Sequence, residues 1–301
     1  MNKILLTLCL LFSFQTFAND KITFLVPFPP GGTTDQTLQV IKPLLEEKGH
    51  KVEIKFLKSC SEALAMLNRD EENVFLNLLS SNYEPHDNDA QCRMNAETDG
   101  IVLFSSVNEN PSYICSSPSV DVSEDDFFNK PVRMGYVSDS QIIIYLNYFL
   151  NHTASKTKIT LVPYRGGGEI VKAALAKDID IWFGGSPLRK LKDLDIKCFG
   201  STLKNNPYDF PFIGYLTDLD NDLMQFSFMN ILWTKENTVS DSVRQSFRSV
   251  FSSENFLNYL SASGAVHTGL GIAENSNEQF LELKNQADTF KNLENVVQKQ
   301  Q

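Results

Sequence analysis

The sequence has few of the residues, and none of the short motifs, on which most enzymes depend. It contains only four histidines in 301 residues, and it has neither an H-E-x-x-H metal motif nor a G-x-S-x-G nucleophile motif. The glycines at 166–168 are not followed by Lys-Ser or Lys-Thr, as a P-loop requires, and the dinucleotide-binding spacing is also missing. These absences speak against nucleotide binding and against the common hydrolases, and no motif indicates a metal or a cofactor.

Basic charge and long apolar runs are also scarce. The 27 Lys and Arg residues are outnumbered by 37 Asp and Glu, which gives a net charge of −10. Such a balance speaks against binding to nucleic acid or to an anionic lipid surface. It also means that any anion must be held by local donors, because the protein as a whole does not attract it.

The first 18 residues predict a cleaved secretory signal peptide. Lys3 precedes an apolar run from Ile4 to Phe14, and Ala18 stands at a small-residue cleavage position. The run is shorter than the roughly 20 residues that a membrane-spanning helix needs, and no long uninterrupted apolar run follows it. We therefore expect a periplasmic mature chain of residues 19–301, long enough for one large or two medium lobes.

Four cysteines remain in this expected mature chain, an even number that favours two disulfides in an oxidising compartment. Cys115 and Cys198 each lie in a strand-like run, SYICSS and IKCFGS, and could be neighbours in a sheet. We predict the pairs Cys60–Cys92 and Cys115–Cys198. The other connectivities, and four free buried cysteines, remain open at this point.

Short β-rich runs recur along the chain, with helical patterns between many of them. The runs are 22–28, 52–57, 74–81, 101–107, 112–117, 132–138, 159–164, 179–183, 196–200 and 226–233. Helices are predicted at 35–48, 140–151, 168–177, 239–251, 253–262 and about 274–292, and Pro43 should kink or strain the first of them. The alternation predicts parallel sheets in an α/β architecture.

The most informative segment is ITFLVPFPPGGTTD, residues 22–35. An apolar strand runs into a Pro-Gly turn, and Thr-Thr-Asp then opens a helix. Backbone N–H groups at such a helix N-terminus can hold an anion. The alternative is an ordinary strand-to-helix connection with Thr34 or Asp35 as the N-cap.

This segment resembles the start of the Bug family, the solute-binding proteins of tripartite tricarboxylate transporters. A second block, ITLVPYRGGGEIVKAALAKDIDIWFGG at 159–185, looks like the family's strand, Tyr-basic-Gly turn, helix and Asp-containing strand. A weaker third block, IKCFGST at 196–202, precedes a further strand and closing helices. The three blocks stand in the family's order, and the resemblance covers most of the expected mature chain.

The resemblance implies an α/β fold of the type II periplasmic binding protein kind, with two α/β lobes around a ligand cleft. One lobe would comprise residues 19–110 plus 233–301, and the other residues 111–232. It implies a binding protein rather than an enzyme. Such a protein would capture a small organic acid or amino acid and deliver it to membrane transporter subunits or a sensor. We expect a monomer with no cofactor, no metal and no nucleic-acid partner.

Carried over residue by residue, the resemblance also implies a site at the carboxyl ends of strands from both lobes. The first lobe would supply Phe28, Pro29, Pro30, Gly31, Gly32, Thr33, Thr34, Asp35, Ser80 and Ser81. The second lobe would supply Ser138, Asp139, Ser140, Tyr164, Arg165, Gly166, Gly184 and Gly185.

The chain departs from the family pattern at two turns. Residues 58–62 read Lys-Ser-Cys-Ser-Glu where the family usually has a glycine-rich turn, and Asp139 stands where it tends toward glycine. A carboxylate about 4 Å from a ligand carboxylate would repel it by roughly 1 kcal/mol in water and by more in a drier cleft. Either Asp139 faces away, or the ligand carries a positive group. A divergent scaffold that acts in signalling or interaction without transport, and a secreted hydrolase, are the alternative functions.

Overall fold

The computed structural model describes residues 20–69, 71–80, 100–121, 123, 129–138, 140–153, 158–216 and 225–266. The strands in this part of the chain are β1 (Lys21–Val26), β2 (Lys51–Phe56), β3 (Val74–Leu79), β4 (Ile101–Pro111), β5 (Tyr113–Ser116), β6 (Val132–Val137), β7 (Ile159–Tyr164), β8 (Ile181–Gly184), β9 (Cys198–Ser201) and β10 (Ser227–Lys235). The helices are α1 (Thr33–Glu46), α2 (Cys60–Leu67), α3 (Ser140–Asn151), α4 (Gly167–Leu175), α5 (Ser186–Leu191), α6 (Asp241–Phe251) and α7 (Glu254–Ser263), with a 3-10 turn at Ile213–Leu216.

These strands form two five-stranded sheets, one in each lobe. The strand order is β2-β1-β3-β10-β4 in the first and β7-β6-β8-β5-β9 in the second. Strands β1, β2 and β3 are parallel, as are β6, β7 and β8, but β10 runs antiparallel to β3 and β4, and β5 runs antiparallel to β8 and β9. The expectation of parallel sheets is therefore wrong for part of each sheet.

The chain's crossings between the lobes explain the reversed strands. Strand β4 leaves the first sheet at Pro111, and β5 begins the second sheet at Tyr113. A strand that enters a lobe from the cleft runs opposite to the strands that end at the cleft, and β5 and β10 are both such strands. The sequence predicts that the chain goes back from the second lobe to the first at 232/233, but this position falls inside β10. Strand β10 pairs with β4 of the first sheet from Ser227 onward, so the chain crosses back before Ser227. The outer extents of the two lobes stay a prediction.

Each sheet is covered by helices that bury an apolar face against it. Helix α1 buries Leu38, Ile41 and Leu45, and it continues through Pro43 for three more residues. Helix α3 is buried on several sides, as its nearly all-apolar sequence predicts, with Tyr145 and Phe149 fully inaccessible to solvent. The short helices α2 and α5 were not among the predicted elements, and the predicted helix at 274–292 lies outside the described residues.

The structure contains a disulfide between Cys115 and Cys198. The two residues are register partners on the antiparallel strands β5 and β9, which confirms that they are neighbours in a sheet. Cys60 is also disulfide-bonded, but Cys92 lies outside the described residues, so its pairing with Cys60 stays a prediction. Of the helices that are described, none combines the length and apolarity needed to cross a membrane, and residues 1–18 fall outside the described part.

Replacing His50 by Gln should make the melting temperature less sensitive to a fall in pH. His50 is almost fully buried, with Nε2 2.7 Å from the Ser246 hydroxyl, and burial lowers the pKa of the imidazole below its usual value of 6.5 although Asp20 opposes this. The unfolded chain therefore takes up a proton at higher pH than the folded one, and stability falls as the pH drops below about 6.5. Melting temperatures of both proteins between about pH 7 and pH 5 should diverge, and parallel curves would contradict the assignment.

Candidate ligand-binding site

A cleft of about 760 Å³ lies between the two sheets. On the first lobe it is bounded by the segments that follow β1 and β2 and by the neighbouring ends of β3, β4 and β10. On the second lobe it is bounded by the segments that follow β6, β7 and β8. The carboxyl ends of parallel strands therefore meet at this cleft from both sides, where ligands bind in open α/β sheets.

Several helices begin at the cleft. The N-cap residues of α1, α2 and α4 are Gly32, Ser59 and Gly166, and all three line it. Helix α3 also begins there, since Ser138 and Ile142 are lining residues. The first N–H groups of a helix lack intrahelical partners and carry the positive end of the helix dipole. The wall of the cleft is thus rich in donors suited to an anion.

Three of these helices use the same carboxylate contact to hold the turn before them. The N–H groups of Gly31, Lys58 and Arg165 donate to the carboxylates of Asp35 (2.6 Å), Glu62 (3.0 Å) and Glu169 (2.9 Å). In each case the acceptor is the third residue of the helix, and the donor precedes the N-cap. The contact fixes the turn and directs these carboxylates to the chain's own backbone.

The charged side chains that line the cleft are basic. Lys58 extends from the first lobe and Arg165 from the second, and both are exposed. No Asp or Glu is among the described lining residues, and Asp139 lies outside the described part. No cluster of three or more His, Cys, Asp or Glu that could hold a metal ion occurs in the described ranges.

The lobes touch along one side of the cleft. Lys190 Nζ, on α5, donates to the Gly31 carbonyl at 3.1 Å, and the Arg189 guanidinium lies 4.2 Å from the centre of the Tyr259 ring. Tyr113 and Tyr208 of the second lobe donate to the carbonyls of Gly264 (2.9 Å) and Ala262 (2.8 Å). The turn that follows β1 therefore contacts the second lobe directly.

Similar architectures occur among solved periplasmic binding proteins. BugD gives a TM-score of 0.70 at 13% identity, over 93% of this chain and 97% of its own. A Rhodopseudomonas palustris protein with adipate gives 0.70 at 15% identity, over 93% and 98%. MatC from the same species, with bound malate, gives 0.68 at 14% identity, over 92% and 99%.

This chain has the fold of the Bug-type periplasmic binding proteins. The predicted type II fold class is thereby confirmed, and the resemblance inferred from sequence is confirmed at the level of the fold. The matched proteins include the periplasmic binding protein BugD and a TctC solute-binding protein from Polaromonas. By sequence, no protein-family model and no curated protein matches the chain.

Ten of the residues inferred from the Bug resemblance line the cleft. They are Phe28, Pro29, Gly32, Thr33, Thr34, Ser138, Arg165, Gly166, Gly184 and Gly185. The described geometry brings them together from both lobes of the Bug-type fold. That these residues contact a ligand stays a prediction.

Five other residues of the predicted set lie beside the cleft without lining it. Pro30 and Gly31 face the second lobe, and the Asp35 carboxylate accepts from Gly31 N–H and from Gln39 Nε2. The Ser80 hydroxyl is buried and accepts from Met229 N–H, and the Tyr164 ring packs beside Gly135 in the second sheet. Ser81 and Asp139 lie outside the described residues, as does the side chain of Ser140.

The cleft also contains residues that the sequence reasoning missed. Lys58 and Ser59 precede α2, while Asn110 and Phe228 are register partners at the ends of β4 and β10. A signal for α2 was present, because Ser59 and Glu62 form a capping-box pattern, and Ser59 Oγ accepts from Glu62 N–H at 3.2 Å. No local pattern in the sequence marks Asn110 or Phe228.

Replacing Lys190 by Met should weaken solute binding about two- to fivefold, because the contact is charged but exposed to solvent. The change removes the hydrogen bond that holds the Gly31 carbonyl to the second lobe. Lys172→Met, an exposed position on α4, is the matched control. Calorimetric titration should show the loss only for Lys190→Met, and equal affinities of the two variants would refute the role of this contact.

Proposed function

We propose that this protein is an extracytoplasmic solute-binding protein that captures a small carboxylate-containing solute for a tripartite tricarboxylate-type transporter. The observation that carries the proposal is a cleft lined by helix N-termini and by the basic side chains of Lys58 and Arg165, with no acidic side chain among its described lining residues. The malate and adipate bound by two proteins of the same fold support this solute class. The signal peptide predicted at residues 1–18 supports a periplasmic location.

The proposed mechanism is reversible capture by backbone donors and hydroxyl groups. The first-turn N–H groups of α1 and α4, with the hydroxyls of Thr33 and Ser138, replace the water around a carboxylate. Hinge closure then brings the turn after β1 against α4 and excludes water. Electrostatic attraction strengthens as the effective dielectric constant of the site falls.

A thermal-shift screen of residues 19–301 tests this function. The panel should contain di- and tricarboxylates, aromatic acids and acidic or neutral amino acids, each beside its uncharged amide as the matched control. A ligand at 100 times its Kd should add about 2.7 kcal/mol to the free energy of unfolding, or several degrees in melting temperature. A flat screen on folded protein would contradict the proposal.

A second candidate is a scaffold of the same fold that takes part in signalling or interaction without transport. The observation that favours it is the turn at 58–62, where Lys58 and Ser59 place side chains in the cleft instead of the glycine-rich turn expected from the resemblance. Such a protein would show no solute-driven closure. X-ray scattering with and without the compounds of the screen separates the two functions, because only the first predicts a smaller radius of gyration.

A further inference from the structure

Apolar side chains form a row along the first-lobe wall of the cleft, beside the polar helix N-termini that also line this wall. On the first lobe, an apolar side chain stands at the cleft end of each of four adjacent strands in the order β2-β1-β3-β10. These side chains are Leu57, Phe28, Leu79 and Phe228, and all four line the cleft. Strands lie about 4.8 Å apart, so the row spans roughly 14 Å.

Three members of this row present apolar surface to the cleft. Leu57, Phe28 and Leu79 are half-buried, whereas Phe228 is only 7% exposed and closes the row at its inner end. Asn110, on the next strand, lies beyond Phe228 as its register partner. The row is therefore an apolar strip with an amide at one end, and at that end Leu79 and Phe228 also pack against the core of the second lobe.

The facing wall on the second lobe combines anion donors with smaller apolar side chains. Along the order β7-β6-β8 the strand ends carry Arg165, then Val137 and Ser138, then Gly184 and Gly185. Ile142 and Ile170 also line this wall, but they are 4% and 0% exposed and offer little surface. The anion donors of this wall are the Ser138 hydroxyl, the Arg165 guanidinium and the first N–H groups of α4.

The second-lobe wall faces the apolar strip closely enough for one small molecule to touch both. Pro29, the residue after Phe28, lies 3.9 Å from the place where a Cβ on Gly166 would stand. A solute whose carboxylate binds at Arg165 and Gly166 is therefore close enough to place its remaining atoms against the strip at Phe28.

From this apolar strip and the anion donors opposite it we propose that the solute is a carboxylic acid with a bulky apolar body, such as an arylalkanoic acid, rather than a short hydroxy- or amino-substituted diacid. The inference rests on the proposed function and narrows its solute class. The apolar body covers the strip and removes it from water, which favours closure. A short polar diacid would lose the hydration of its polar groups against the strip without regaining hydrogen bonds there. The volume of about 760 Å³ is also in the upper part of the range of roughly 300–1,000 Å³ found for small-molecule sites.

Calorimetric titration of the wild-type chain with 3-phenylpropanoate, 3-phenylpropanamide, succinate and malate tests the solute class. We expect 3-phenylpropanoate to bind at least about tenfold more tightly than either diacid and than the amide, given the apolar area that it covers. Tighter binding of succinate or malate would overturn the inference but leave the proposed function standing. Binding of none of these acids, together with a flat thermal-shift screen, would overturn both.

Two phenylalanine variants test the strip itself. Phe28→Ser should weaken binding of 3-phenylpropanoate about tenfold and change binding of succinate much less. Phe56→Ser is the matched control, because Phe56 is 39% exposed on β2 and is not a lining residue. Should Phe28→Ser fail to fold, Leu57→Ser makes the same test at the outer end of the strip. Equal losses for the aromatic acid and the diacid would show that the strip does not select the solute.

Discussion

Asn230→Leu should lower the free energy of unfolding by about 3 kcal/mol, whereas Asn77→Leu in the same sheet should leave it within about 1 kcal/mol or raise it. Both side chains are fully buried, and the two strands that carry them are paired. They differ in hydrogen bonding. Asn230 accepts from Thr34 Oγ1 at 3.2 Å and donates to Asn108 Oδ1 at 3.0 Å, while the side-chain amide of Asn77 has no hydrogen-bond partner among the described residues.

The cost at Asn230 arises from the partners that it leaves behind. Leucine cannot bond to Thr34 or Asn108, and a buried polar group without a partner costs about 1–3 kcal/mol. At Asn77 the same substitution removes an amide that has no hydrogen-bond partner among the described residues, so we expect the apolar side chain to cost little. Urea unfolding of the two variants and the wild type measures this difference directly.

The Asn230 variant should also weaken solute binding. Thr34 lies in the first turn of α1 and lines the cleft, so its bond to Asn230 fixes the helix N-terminus that is proposed to hold the carboxylate. Asn77→Leu should leave affinity unchanged, because Asn77 does not line the cleft. A similar loss of stability in both variants would mean that burial alone, rather than the hydrogen bonds of Asn230, sets the cost.

The sequence predicted which segments form strands but not how the strands are directed. Runs such as ITFLVPF and IDIWF are rich in β-branched and aromatic residues, and each overlaps a strand of the structure. The direction of β5 and β10 depends on where the chain crosses between lobes, which is a tertiary property. A local run such as FSFMNILW reads the same whether its strand enters the sheet from the cleft or leaves toward it.

The cleft could be predicted only as far as its residues follow one another in the sequence. The turn at Pro29–Thr33 and the turn at Arg165–Gly166 each stand directly after a strand, and the structure places both at the cleft. Asn110 and Phe228 are separated by more than a hundred residues and meet only because β4 and β10 pair. The sequence also places a carboxylate at Asp35 but does not indicate where it points. In the structure, the hydrogen bond that it accepts from Gly31 N–H directs it to the chain's own backbone.

Gly168→Val should prevent closure and weaken solute binding at least about 100-fold, equivalent to about 2.7 kcal/mol, while both lobes stay folded. Gly168 is the second residue of α4, and a Cβ there would lie 3.0 Å from the Pro30 carbonyl oxygen and 3.4 Å from Gly31 across the cleft. Those atoms belong to backbone that the Asp35 carboxylate and Lys190 hold in place, so they cannot easily yield.

Gly168→Ala should give an intermediate loss of affinity, since its single methyl group meets the Pro30 carbonyl with less bulk. It should nevertheless raise the melting temperature, because alanine has less conformational freedom than glycine in the unfolded chain, which is worth about 0.4–1 kcal/mol where the backbone is compatible. Lys172→Val, at an exposed position of the same helix, accounts for the helix propensity of valine. Titration calorimetry measures the affinities, and X-ray scattering with solute measures closure.

Normal closure of Gly168→Val would show that the contact between α4 and the Pro30–Gly31 turn does not belong to the solute-bound state. A lower melting temperature together with lower affinity for Gly168→Ala would instead indicate damage to the second lobe, since steric exclusion across the cleft predicts that stability and affinity change in opposite directions.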